Sequence, residues 1–192
     1  MVHTHLGSLA PVARIALRAT IDDYLSFRND MHSFLNTHFK DICTAKCYQS
    51  QLSACCSKEG IITFFADVVV NILVSSESEA KNLQRVLQKP NTGTKCIYLG
   101  AQGCLWQIKP IVCERFLCDA AANEVFRSNS NAKEKWMCLK QQEKRFTWPD
   151  RPILFDDLET YFLRANLSSP IMYMHNSPGL LRVKQRSNRF SK

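Results

Sequence analysis

The chain has 192 residues, a net charge of +8 and a hydrophobic content of 45%. That is enough for one ordinary domain with a real core, and it excludes global disorder. No apolar run reaches the length of a membrane-spanning helix, and Arg14 and Arg18 interrupt the small apolar patches near the N-terminus, so no membrane partner and no secretion signal are expected.

The expected location is therefore the cytoplasm, a reducing compartment. There, nine cysteines point to metal binding or redox chemistry rather than to a disulfide framework.

Residues 1–19 show little periodicity and read as an irregular lead-in, with His3 and His5 in solvent. From Thr20 the pattern changes. Thr20-x-x-Asp23 resembles a capping box, and Ile21, Tyr24, Leu25, Met31, Phe34, Leu35, Phe39 and Ile42 recur at helical spacing. If this helix runs through Lys46, Cys43 and Cys47 fall about 40° apart on one face. His32 and His38 on the same helix read as partly buried surface histidines.

Residues 48–62 form a polar loop leading to the adjacent pair Cys55-Cys56, with Gly60 as a place to turn. Thr63 can cap a helix through FFADVVVNILV, although its β-branched residues also suit a strand. Ser76-x-x-Glu79 opens a further helix that stops before Pro90. Residues 96–108 (CIYLGAQGCLWQI) read as a short hairpin with its turn at GAQG. Pro110 begins a helix running through IVCERFLCDAAANEVF, on which Cys113 and Cys118 would lie about 140° apart.

SNSNAK is a polar break before a helix in KEKWMCLKQQEKRF, where Cys138 reads as a small packed residue outside any site. Asp156 and Asp157 start a helix bearing Leu158, Tyr161, Phe162 and Leu163. A turn-rich segment with room for a short strand follows. Residues 180–192 carry five basic residues and no acid, which leaves only +3 on the remainder. The tail could attract nucleic acid or an acidic partner, but only Phe190 is interleaved with its charges, so nucleic acid is disfavoured and no protein partner is indicated.

Eight cysteines fall in two groups, Cys43-x3-Cys47-x7-Cys55-Cys56 and Cys96-x7-Cys104-x8-Cys113-x4-Cys118, about 40 residues apart. Thiolates are soft ligands for zinc, Cu(I) and iron–sulfur clusters, and four complete either a zinc site or one cluster. The eight residues together are the candidate metal ligands, and the two groups should converge in space. The spacing matches no zinc ribbon or bacterial ferredoxin run. The sulfur count and the adjacent pair favour an iron–sulfur cluster over zinc. Glu59 and Glu114 beside the cysteines read as solvated charges. There is no P-loop, Gly-x-Gly-x-x-Gly, His-Glu-x-x-His or Gly-x-Ser-x-Gly.

The vicinal pair, Gly60-Ile61, the acid Asp67, Cys96-x-Tyr98-x5-Cys104 and Lys109-Pro110-x-x-Cys113-x-x-Phe116 together resemble the YkgJ-like cysteine-cluster proteins, described as a zinc- or iron-chelating domain. The resemblance spans residues 43–118. Here the family's first motif is stretched, Lys109 stands for its usual Arg, and Glu114 stands for the Arg after the cysteine. Flagellin lysine methylases carry a related cluster, which brings methyl transfer into range.

The expected fold is a mainly α, small irregular helical domain built around a cysteine-ligated metal site, with a short β-hairpin. It comprises the lead-in 1–19, a single domain 20–179 with its metal-site core at 43–118, and the basic tail 180–192. The leading function is a metal-binding protein coordinating zinc or an iron–sulfur cluster. The alternatives are a redox enzyme or methylase relative using an iron–sulfur centre, and a zinc-stabilised interaction module whose basic tail contacts nucleic acid.

Overall fold

A computed structural model describes residues 1–44, 56–58, 61–101, 103–148 and 153–172. Cys47, Cys55, Glu59, Gly60 and the basic tail lie outside the described residues. The described residues are mainly helical, with one two-stranded antiparallel hairpin.

The helix α4 (Phe65–Val74) is buried on almost every side, as its nearly unbroken apolar run requires. Its side chains meet α1 (Val2–Ser8) on one flank and α9 (Leu154–Arg164) on another. Phe65 meets Phe162 of α9 edge-on at 5.1 Å. The long helix α3 (Asp22–Asp41) lays Tyr24, Phe27, Met31 and Phe34 against α8 (Ser130–Thr147), with Phe27 stacked on Phe146 and Phe34 on Trp136. A third layer comes from α7 (Asp119–Phe126), whose Phe126 meets Phe39 of α3 at 5.6 Å. No helix among the described residues is long and apolar enough to cross a membrane.

Several sequence expectations are corrected here. Residues 1–19 are not irregular: they form α1 and α2 (Pro11–Ala19), and Val2, Leu6 and Leu17 enter the core. Pro11 at the first turn starts α2 because its missing N–H would have no helical partner there. His5 is not in solvent either; its ring lies 5.0 Å from that of Phe162 and its Nε2 is buried without a hydrogen-bond partner.

Thr20 does not cap α3. Its hydroxyl donates back to the Leu17 carbonyl at 2.7 Å and closes α2 instead, so α3 begins at Asp22. At its other end α3 stops at Asp41 and gives way to a π-type turn over residues 42–44. The residues that would carry it on to Lys46 lie outside the described ones.

α4 starts after Phe64, and its cap is Asp67, whose carboxylate accepts the Phe64 N–H at 2.9 Å. The hydroxyl of Thr63 makes no such bond. α5 (Glu77–Leu87) has the capping box that its sequence announces, with the Ser76 N–H donating to Glu79 at 2.7 Å and the Glu79 N–H to Ser76 Oγ at 3.4 Å. α8 begins within the supposed polar break, because the Asn129 side chain accepts the Ala132 N–H at 2.9 Å. Cys138 is exposed rather than packed, since Trp136 and Leu139 take the inward face of α8.

Candidate metal centre

Cys56 of the first cysteine group reaches Cys96 of the second through the backbone. The Cys96 N–H donates to the Cys56 carbonyl at 2.8 Å, Lys58 N–H donates to Thr94 at 2.8 Å, and Ser57 forms an antiparallel bridge with Lys95. From there the chain enters the hairpin of β1 (Leu99–Gly100) and β2 (Gly103–Cys104), with Leu99 opposite Cys104. Gly103 has φ +111°, a conformation that only glycine adopts at little cost, and a Cβ at Gly100 would come within 3.0 Å of Leu105. The two glycines are thus what lets so short a hairpin close beside Cys104.

Cys113 follows on α6 (Ile111–Glu114), a helix of one turn. This corrects the expected continuous helix. After Arg115 the chain opens, and Cys118 becomes the extended residue preceding α7, packed against the apolar core. Cys113 and Cys118 therefore lie on different elements, and the angle between them on one ideal helix has no bearing.

Cys56, Cys96, Cys104 and Cys113 are half-buried, and each lies within electrostatic reach of at least one other. Burial pushes the Cys96 thiol above its ordinary range against the opposing Tyr98 N–H at 3.4 Å, and the charge of Cys56 adds to the rise. Burial also raises Cys104, against a backbone bond from Trp106 and the charge of Lys109, with Cys96 and Cys56 contributing. Burial raises Cys113, against a backbone bond from Ile62, and Cys96, Cys104 and Asp67 add to it. In a protein without metal the thiols of Cys96, Cys104 and Cys113 hold their protons at neutral pH. A cation would reverse each of those charge effects.

Thiols are soft donors, and their chemistry suits zinc or an iron–sulfur cluster. Among the described residues, however, no three His, Cys, Asp or Glu side chains already stand close enough to hold one ion. Cys43 is exposed in the π-type turn after α3, while Cys47 and Cys55 are outside the described residues.

Side chains of the helical core pin the segment that carries Cys104 and Cys113. Asn71 Oδ1 accepts the Ile108 N–H and Asp67 Oδ1 accepts the Ile111 N–H, both at 3.0 Å, from positions one turn apart on α4. Arg28 of α3 donates to the Lys109 carbonyl at 2.6 Å, to Tyr24 at 2.7 Å and, through Nε, to Glu114 at 3.0 Å. Glu114 is therefore not a solvated charge: it is buried in an ion pair with Arg28.

Sequence reasoning missed Arg28 and Asn71, yet both left a signal. Arg28 sits four residues after Tyr24 and three before Met31, on the core-facing stripe. Asn71 interrupts VVVNILV four residues after Asp67. A polar residue at a buried helical position needs a partner, and here the partner is the backbone around Cys113.

No family model, no curated protein and no solved structure matches the chain.

Proposed function

We propose that this chain is a cytoplasmic metal-binding protein that coordinates zinc or an iron–sulfur cluster through its two cysteine groups. In this reading it is a relative of the YkgJ-like cysteine-cluster proteins. The observation that carries the reading is the backbone pairing of Cys56 with Cys96, which joins the two groups next to the hairpin of Cys104. Burial and neighbouring charge raise the half-buried thiols of Cys96, Cys104 and Cys113, which disfavours their thiolates until a cation joins them. A bound metal would be held by these sulfurs and would add its binding free energy to folding, because ligand binding and folding share one free energy.

The ligands are Cys43, Cys47, Cys55, Cys56, Cys96, Cys104, Cys113 and Cys118, with Cys56, Cys96, Cys104 and Cys113 as the inner set. A bound cluster would supply electron transfer or a Lewis acid; zinc would supply structure. The test is metal analysis with an absorption spectrum on anaerobically purified protein. Brown protein whose visible absorption bleaches with dithionite decides for the cluster. Colourless protein with stoichiometric zinc, unchanged after reconstitution with iron and sulfide, decides for zinc. Protein that retains neither metal overturns the proposal.

A further inference from the structure

Ser57 and Lys95 face each other in an antiparallel bridge. Two backbone bonds flank it, from the Lys58 N–H to the Thr94 carbonyl and from the Cys96 N–H to the Cys56 carbonyl, both at 2.8 Å. That register places the next residues outward, Cys56 and Cys96, directly opposite each other as well. Residues opposed across such a bond have Cα atoms about 5.5 Å apart. A disulfide spans Cα separations of roughly 4.4–6.8 Å. Opposed residues also project to one face of the pleat, here the face away from Ser57 and Lys95. The register thus supplies both the separation and the direction that a disulfide needs.

Among the described residues no other backbone bond joins two cysteines. Cys104 stands opposite Leu99, and Cys113 and Cys118 lie on different elements. Cys56 is also close enough for its charge to act on the Cys96 thiol, whose sulfur is oriented by the Tyr98 N–H at 3.4 Å. Both residues are half-buried, which leaves them within reach of a small oxidant while the backbone holds them together.

We propose that Cys56 and Cys96 are a site of reversible oxidation, closing into a disulfide that links the two cysteine groups covalently. Disulfides of this kind in a reducing compartment are transient and redox-sensing rather than structural. The oxidant is a small-molecule disulfide such as oxidised glutathione. One cysteine thiolate attacks its S–S bond and expels a glutathione thiolate, leaving a mixed disulfide; the second cysteine thiolate attacks the protein sulfur of that intermediate and expels the other glutathione. The cysteine pair loses two electrons and two protons, and the oxidant takes them up as two thiols. Once closed, the pair has no thiolate to offer a metal, and that consequence alone rests on the metal reading.

The test treats the reduced, metal-free full chain with oxidised glutathione, alkylates the remaining thiols and maps the cross-linked peptides by mass spectrometry. Fragment ions must separate Cys55 from Cys56 and Cys96 from Cys104. The dominant cross-link should join Cys56 to Cys96 and open in excess reduced glutathione. It should vanish in Cys56→Ser and in Cys96→Ser but persist in Cys138→Ser.

Alkylation of both Cys56 and Cys96 in the wild-type chain would overturn the proposal and leave the metal reading standing. A dominant bond at Cys55 or between any other two cysteines would do the same, as would a bond that excess reduced glutathione cannot open. Zinc is then offered to both forms after the chelator is removed. The oxidised chain should take up less than the reduced one and recover on reduction. Equal uptake by the two forms would overturn the exclusion of metal. A mapped Cys56–Cys96 bond in a chain whose reduced form takes up no zinc would likewise sever the link to metal, with the oxidation site upheld.

Discussion

Arg28 holds its guanidinium among Tyr24, Lys109 and Glu114, and its side chain is 2% exposed. Arg28→Met would leave buried Glu114 with only the half-exposed His32, 3.5 Å away, beside it, and the fold should lose about 3–5 kcal/mol in urea unfolding. Adding Glu114→Gln removes the stranded charge, so the double variant should recover most of that loss; a double variant as unstable as the single one would contradict the pairing. Asp67 makes a pH prediction. Burial pushes its carboxyl up from 3.8 to about 6, against the two N–H bonds that it accepts and the charge of Arg28. The folded protein thus holds this proton more tightly than the unfolded chain does. The stability contributed by neutral Asp67 is complete below about pH 4 and is lost as pH rises through about 6, a change on the order of 3 kcal/mol. The stability difference between wild type and Asp67→Asn should therefore shrink from pH 4 to pH 7 in urea titrations. A difference independent of pH would mean that Asp67 does not titrate in this window. Sequence reasoning found Asp67 only as an acid on a helix, because nothing local reveals that its oxygens reach Phe64 and Ile111.

The elements most legible in the sequence are those that carry their own punctuation. Ser76-x-x-Glu79 forms its capping box, and the runs before Pro90 and after Asp156 are helices as read. The lead-in was illegible for the opposite reason. Helices of 7 and 9 residues complete too few turns to display a period; α1 is held by packing on α4 and α9, and α2 by Leu17 in the core, rather than by their own residues. That packing has a measurable consequence. Leu6→Ala, at a position with 1% exposure, should cost about 2–5 kcal/mol, whereas Val12→Ala, at 78% exposure, should stay within about 0.5 kcal/mol. Equal, negligible effects in chemical denaturation would return residues 1–19 to an irregular tail. The break between α6 and α7 was illegible because neither Gly nor Pro marks it. Tertiary bonds set it instead: Glu114 to Arg28, and Arg115 to Glu143 at 3.2 Å, hold the short α6 at its C-terminal end.

At the scale of the whole molecule, the mainly helical class and the hairpin followed from periodicity and turn chemistry, whereas the approach of Cys56 to Cys96 depends on bonds between distant segments. Cys56 meets Cys96 through a backbone bond that spacing cannot foretell, and the core reaches Cys113 through Arg28, Asp67 and Asn71. The raised thiols would set the pH response of the proposed centre. Their ordinary value is about 9, and Cys96, Cys104 and Cys113 all lie above it, so if these residues are the ligands, metal uptake near neutrality would release protons. Apparent metal affinity should rise steeply between about pH 6.5 and pH 8.5 in chelator competition; a flat profile would assign the metal to other ligands. The central claim is tested most directly by the metal content of the single variants Cys56→Ser, Cys96→Ser, Cys104→Ser and Cys113→Ser against Cys138→Ser, all purified anaerobically. The first four should each lose metal and unfold more easily, while Cys138→Ser keeps the wild-type content. Equal metal in all five, or equal loss in Cys138→Ser, would contradict a centre built where the two cysteine groups meet.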